Sequence, residues 1–204
     1  MDLLDNYKKV WNNHPKDTRK FSLEEIYELA HSKSSSIVKW IFIIGLIEFV
    51  VLNSSYFFID MSEAFSLYEK MGLINFIYYT QIIFYIIVFY FLIKFYKNYK
   101  KISTTDSIST LMIKIIKTRK TVRNYVLFNL SYFILIMIVI TIASINTNFD
   151  NLSNKEILIV TIITILVTVL ILGIMWLFYQ LLYGILLRKL NTNYKKLADL
   201  NSEK

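Results

Sequence analysis

The sequence predicts an all-α, polytopic membrane protein that has four transmembrane helices with cytoplasmic amphipathic helical extensions. Hydrophobic residues make up 55% of the 204 residues, and the mean hydropathy is +0.47. Four apolar runs lie at about residues 40–59, 73–93, 125–145 and 157–179. A helix of about 20 residues crosses a hydrocarbon core roughly 30 Å thick, and soluble domains rarely contain such runs.

The distribution of basic residues predicts the orientation of these spans. All but two of the 23 lysines and arginines lie within residues 1–39, 94–123 and 188–204, and the exceptions are Lys70 and Lys155. Because cytoplasmic loops carry the excess of Lys and Arg, both termini are expected in the cytoplasm. The net charge of +8 is then explained by topology and anionic lipid headgroups, without direct nucleic-acid binding.

Residues 1–36 are predicted to form a cytoplasmic region of amphipathic helices. The first helix, over residues 2–12, is too short to be stable alone in water, so its apolar stripe should rest on the chain itself, the lipid surface or a partner protein. The stripe is a candidate partner-docking surface and consists of Leu3, Leu4, Tyr7, Val10 and Trp11.

A second helix is predicted to start at a capping box formed by Ser22 and Glu25. It leads past His31 into the first span through a serine run, residues 34–36. This run is compatible either with a hinge or with a continuous helix.

Residues 37–187 are predicted to form the four-helix transmembrane bundle. The outer loop over residues 60–72 is expected to contain one turn of interfacial helix. A cytoplasmic helical hairpin is predicted over residues 94–123, and residues 102–123 are expected to contain an amphipathic helix that Asp106 or Ser107 caps.

The apolar pattern of the fourth span continues into the C-terminal cytoplasmic tail, residues 188–204. Steps of four and three residues place one apolar seam on this helix, and such a seam needs a partner helix in water. The expected partner is the helix at 107–118 or the one at 22–33. The seam consists of Tyr183, Leu187, Leu190, Tyr194 and Leu197.

Glu48 is the only acidic or basic side chain within the four predicted spans. A charge facing lipid costs several kcal/mol, so Glu48 should face other helices or be protonated. At similar depth lie Tyr85, Ser131 and Tyr132, which are expected hydrogen-bond partners. Two interpretations stay open, a proton- or cation-linked site and a structural carboxylic acid that joins the helices. The candidate intramembrane polar site is Glu48, Gln81, Tyr85 and Ser131. Gln81 and Asn129 are expected to form hydrogen bonds between helices rather than to bind a ligand.

The sequence argues against an enzyme. The chain has no cysteine, and its two histidines, His14 and His31, are isolated from each other, whereas a metal site needs three or four convergent ligands. There is no glycine-rich phosphate loop and no Gly-x-Ser-x-Gly motif. No catalytic residue, cofactor or metal is therefore expected.

Two N-terminal segments, DLLDNYKKVW and FSLEEIYELAHSKSSSIVKWIFIIGLIEFVV, resemble a family of small uncharacterised four-span bacterial inner-membrane proteins. The resemblance implies a gene beside an extracytoplasmic-function sigma factor, and hence an anti-sigma-like or signalling role with that factor as a possible cytoplasmic partner. Some members of the family carry the label beta-carotene monooxygenase. Such oxygenases hold iron with four histidines on a β-propeller, which two histidines cannot supply.

Two functions follow as hypotheses. The first is a non-enzymatic inner-membrane regulator or scaffold that binds a cytoplasmic partner through residues 1–36, 102–123 and 180–200. The alternative is a small proton- or cation-coupled transporter that uses Glu48. Four glycines and one proline in the whole chain disfavour the broken helices on which many transporters depend.

Overall fold

The structure is a computed structural model that describes residues 23–104, 107–148 and 153–202. The predicted stripe within residues 2–12 and the Ser22 cap lie outside these residues. The described part of the chain contains six α-helices and no β-strand. These are α1 (Leu23–Ser54), α2 (Ser62–Lys70), α3 (Ile74–Ser103), α4 (Ile108–Asn148), α5 (Asn154–Tyr179) and α6 (Ile185–Ser202).

Four segments of this helical chain are long and apolar enough to cross a membrane, which confirms the all-α class and the number of candidate spans. The first three lie in α1, α3 and α4. The fourth begins with α5 and continues through a π-helical turn, Gln180–Gly184, into α6.

The helix α4 is longer than any predicted element. It runs for 41 residues through the basic segment and the third apolar run without a break. The helix begins at Ile108, directly after Ser107, which agrees with the start predicted from the candidate caps Asp106 and Ser107. No glycine or proline occurs within α4, so nothing in its local sequence interrupts the helix.

The serine run lies inside the continuous helix α1, so the hinge interpretation is wrong. Ser34 is fully buried, and its hydroxyl accepts a hydrogen bond from the side-chain amide of Asn193 at 3.2 Å. The small serine side chain thus lets α6 pack closely against α1 at this level.

One end of the bundle carries most of the basic residues, and we call it the basic end. It comprises the first turns of α1, the last turns of α3, the first turns of α4, and α6. These helices share an apolar core, to which the predicted seam of α6 contributes by packing on both α1 and α4. Its fully or nearly fully buried members are Ala30, Val38, Ile102, Leu111, Ile115, Leu190 and Leu197.

A polar contact also closes the basic end. The Nε2 atom of His31 lies 2.7 Å from the carbonyl oxygen of Ile102 in the last turn of α3. A carbonyl can only accept, so Nε2 carries the proton. The bond satisfies one of the carbonyls that a helix terminus leaves without an intrahelical partner.

The opposite end of the bundle consists of short connections. A helix of nine residues, α2, lies where the sequence predicts a single turn, and Gly72 follows it with φ = 68°, a left-handed conformation that favours glycine. The helix α5 begins at a capping box between Ser153 and Glu156. The hydrogen bond from the Ser153 backbone amide lowers the pKa of the exposed Glu156 carboxyl group.

Burial is distributed unevenly along the bundle. In α1 the last buried side chain is Glu48, in α3 the first is Val88, and in α4 the last is Asn129. None of the described side chains at positions 49–87 or 130–178 is buried. The half of the bundle toward the basic end is therefore densely packed, whereas the opposite half is open between its helices.

Candidate functional site

A cavity of about 420 Å³ occupies the open half of the bundle. It lies between α1, α3 and α4, and α2 with the preceding connection lines its far end. Neither α5 nor α6 contributes a lining residue. The residues that line it are Glu48, Phe49, Leu52, Asn53, Tyr56, Ile59, Met61, Phe65, Tyr68, Ile77, Gln81, Phe84, Tyr85, Val88, Tyr125, Asn129, Tyr132 and Ile136.

Glu48 forms the floor of this cavity, at the boundary between the packed and open halves. Its side chain is only 6% exposed. The hydroxyl of Tyr179 donates a hydrogen bond to Oε1 at 2.7 Å, and the hydroxyl of Tyr183 donates one to Oε2 at 2.9 Å. Both carboxylate oxygens are thus held by the fourth span and the turn that follows it.

This arrangement corrects the predicted partners of Glu48. Tyr85, Ser131 and Tyr132 were expected at its depth, but the hydrogen bonds come from Tyr179 and Tyr183. The side chain does face other helices rather than the outer surface of the bundle. The correct partners lie on the one candidate span that does not line the cavity.

The local geometry of the chain brings the two tyrosines together. They lie one turn apart, and their rings stack at a centroid distance of 6.1 Å. Tyr183 belongs to the π-helical turn, a feature often found at functional sites. The ring of Tyr125, which lines the cavity, packs edge-on against both, so the two tyrosines lie behind the cavity floor.

A chain of polar side chains follows one wall above Glu48. The hydroxyl of Tyr85 donates to Oδ1 of Asn53 at 2.7 Å, which joins α3 to α1. The amide of Gln81 donates to the Tyr85 hydroxyl at 3.1 Å and to the Tyr56 hydroxyl at 3.4 Å. These polar groups satisfy one another and face the cavity.

Aromatic rings cover much of the remaining wall. Phe84 and Tyr132 stack with a centroid distance of 4.5 Å, and Phe49 meets Tyr85 edge to face at 6.1 Å. Such pairs prefer fixed geometries and lose little conformational freedom. The cavity therefore has firm aromatic walls around a small number of hydrogen-bonding groups.

Three of the four residues of the predicted polar site line this cavity: Glu48, Gln81 and Tyr85. The fourth, Ser131, is exposed on α4 and does not line it. Asn129 was expected to bond between helices, but its amide donates to the carbonyl of Tyr125 in the same helix at 3.1 Å. The predicted docking stripe, Leu3 to Trp11, lies outside the described residues.

The chemistry of the cavity suits binding. Among its lining residues there is no lysine, arginine or histidine, and Glu48 is the one carboxyl group. No group of three His, Cys, Asp or Glu side chains in the described part of the chain is placed to hold a metal ion. An acceptor at the floor, amides on one wall and aromatic faces around them can hold a molecule in a defined orientation.

Comparison with known proteins gives a family without an assigned activity. No match was found among the curated proteins or among the solved structures. Residues 24–202 match a domain of unknown function (DUF8845). The match covers all six helices, apart from Leu23 at the start of α1. The chain belongs to this DUF8845 family.

Proposed function

We propose that the protein is a non-enzymatic regulator or scaffold of the bacterial cytoplasmic membrane that holds a cytoplasmic partner. The observation that carries this proposal is the continuity of α1, α3 and α4, each of which extends from the cavity into the core of the basic end. A change in helix spacing around the cavity is thereby transmitted to the surface at the basic end.

The exposed surface supports insertion into a membrane. Large apolar side chains cover the outside of the four long helices, as in Leu166 and Leu170, which are 63% and 64% exposed. Soluble monomers rarely expose contiguous apolar patches beyond a few hundred Å². Phe57 and Phe58, at 89% and 86% exposure, extend from the connection after α1 and suit the interface with the lipid headgroups.

Reporter fusions test the orientation of the basic end toward the cytoplasm. Alkaline phosphatase fused after residue 65 or 151 should be active, and fusions after residue 105 or 204 should be inactive. The reason is that the enzyme folds only outside the cytoplasm, and the positive-inside rule places the two sparsely basic loops there. An active fusion after residue 204 would contradict four spans with both termini inside.

The partner is proposed to be a cytoplasmic protein, for which the sigma factor implied by the family resemblance is the first candidate. The surface available to it includes the predicted N-terminal stripe and an exposed apolar pair on α4, Ile113 and Ile116. Both belong to segments that the charge distribution places in the cytoplasm.

Substitution within the N-terminal stripe tests the docking site. Changing Leu4 and Trp11 together to serine should reduce recovery of the partner identified with the wild-type chain by at least ~10-fold in a pull-down, because buried apolar anchors dominate such interfaces. Deletion of residues 1–20 should abolish recovery, while the spans still insert.

The matched control changes Lys8 and Lys9 to serine on the opposite face of the same predicted helix. This variant should recover the partner within about twofold of wild type, because exposed charges contribute little. Unchanged recovery after deletion of residues 1–20 would show that the partner does not dock at the N-terminus.

A transporter is the second candidate, favoured by the position of Glu48 at the floor of a cavity. Alternating access would require the cavity to open toward the basic end as well. That path is filled by buried side chains, including Phe95, Val122 and Tyr183. The scaffold therefore agrees better with the packing, and a proton-coupled transport activity lost in Glu48→Gln would favour the transporter instead.

A further inference from the structure

We propose that the cavity is a binding site for an organic monocation, which places an ammonium group near Glu48 and an apolar body along the aromatic walls. The carboxylate at the floor accepts hydrogen bonds from two neutral hydroxyl groups, those of Tyr179 and Tyr183. These bonds satisfy its oxygens but supply no positive charge to pair with its ionised form. No basic side chain lines the cavity to pair with it.

A buried charge without a partner is unfavourable, because taking it out of water costs several kcal/mol. Glu48 is one of the residues that line the cavity, so a cation bound at this end would lie next to its side chain. A ligand of opposite charge would recover much of the lost solvation. A negatively charged ligand would meet repulsion from Glu48 with no cation to offset it.

The walls provide the second component of cation recognition. Five tyrosines and three phenylalanines line the cavity: Tyr56, Tyr68, Tyr85, Tyr125, Tyr132, Phe49, Phe65 and Phe84. A cation over the face of an aromatic ring gains electrostatic energy, most strongly where water is excluded. Quaternary ammonium groups are recognised in this way because their charge is diffuse and weakly hydrated.

The size and polarity of the cavity define the rest of the ligand. A volume of about 420 Å³ lies within the range of small-molecule sites and exceeds the space that one inorganic cation needs. Aliphatic and aromatic side chains form most of its surface, whereas Asn53, Gln81 and Asn129 supply amide groups at a few points. An amphiphilic amine with one or two polar atoms fits this lining.

The proposal is independent of the cytoplasmic partner. Failure to recover a partner would leave cation binding unaffected, whereas absence of cation binding would leave the docking experiment unaffected. The two hypotheses can therefore be tested and rejected separately.

Binding is tested by isothermal titration of the full chain in nanodiscs with butyrylcholine and with 3,3-dimethylbutyl butyrate. The two probes have nearly the same shape and differ in a single positive charge. The wild-type chain should bind the cation at least ~10-fold more tightly than the neutral ester, because the carboxylate and the ring faces respond to the charge. Empty nanodiscs provide the baseline for partition into lipid.

Two variants and a control locate the charge and the rings. Glu48→Gln should remove the preference between the probes, whereas Glu63→Gln, the same exchange at an exposed acid of α2 outside the cavity, should retain it. Tyr132→Leu should weaken binding of the cation by about threefold or more, because it removes a ring face but retains the carboxyl group.

Four results would overturn the proposal: no binding of butyrylcholine, equal affinity for the two probes in the wild-type chain, an unchanged preference in Glu48→Gln, or loss of the preference in Glu63→Gln. The comparison of the probes needs only the wild-type chain, so it decides the question even if a variant does not fold. Loss of the preference in Glu63→Gln would assign the tighter binding of the cation to surface charge in general rather than to the cavity.

Discussion

Glu48→Leu is expected to lower the free energy of unfolding in detergent by about 1–3 kcal/mol, since it leaves the hydroxyls of Tyr179 and Tyr183 without their acceptor. Each interhelical hydrogen bond in a membrane protein contributes roughly 0.6–1.7 kcal/mol, and two are lost. Both tyrosines are buried, so water reaches their hydroxyls poorly. The affected contacts join α1 to the fourth span.

A double-mutant cycle separates the hydrogen bonds from the change in shape. Glu48→Leu should lower the free energy of unfolding by less in a Tyr179→Phe/Tyr183→Phe background, because no hydroxyl there loses its acceptor. Glu48→Gln should stay within about 1 kcal/mol of wild type, because an amide oxygen still accepts and the volume is nearly unchanged. Unfolding followed by circular dichroism gives the energies, and a leucine variant as stable as wild type would exclude a structural role for these bonds.

The sequence was sufficient to predict the helical class because the helix signal in this chain is local. In lipid a long apolar run is stable when its backbone polar groups bond within the segment, as they do in a helix, and the runs around Glu48 and in α5 contain no proline and one glycine each. Helix boundaries within the basic segments were less predictable. The prediction separated the basic residues before Tyr125 from the third span, whereas α4 passes through both, since no helix breaker marks the change in polarity.

The partners of Glu48 depend on how the helices are arranged around it, and a single sequence does not specify this. The predicted partners Tyr85, Ser131 and Tyr132 rest on depth in the membrane along the second and third spans alone. The same measure on the fourth span would have pointed to Tyr179, because it lies nine residues before Arg188, much as Glu48 lies nine residues after Lys39. Tyr183 fits the apolar seam that continues into α6, and that pattern gives no sign of a hydrogen bond to Glu48.

The division of the bundle into a packed and an open half had no clear signal in the sequence. Both halves are apolar, since lipid and protein interiors favour similar side chains. The small residues within α1 do differ in their surroundings, and Gly45 and Ser34 mark the places where other helices approach most closely. Gly45 shares a helix face with Glu48, which predicts such an approach, whereas nothing in the local sequence distinguishes Ser34 from the more exposed serines beside it.

Gly45→Leu is expected to destabilise the protein by about 1–3 kcal/mol through overpacking between α1 and α3. A Cβ atom at this position would lie 3.2 Å from Cδ2 of Leu92 and 3.3 Å from the ring of Phe95. Phe95 is fully buried, so its ring has little space into which it can move. The larger side chain must therefore push the two helices apart at the level where the packed half ends.

Gly173→Leu provides the matched control, because a Cβ atom there has no neighbour within 4 Å on the exposed side of α5. The same exchange should leave stability unchanged or raise it slightly, since leucine favours a helix more than glycine does. Thermal unfolding of both variants in one detergent makes the comparison. Because Gly45 lies one turn before Glu48, its variant should also weaken the contacts of Glu48 with Tyr179 and Tyr183. Equal stability of the two variants would show that α1 and α3 do not approach as closely as this packing requires.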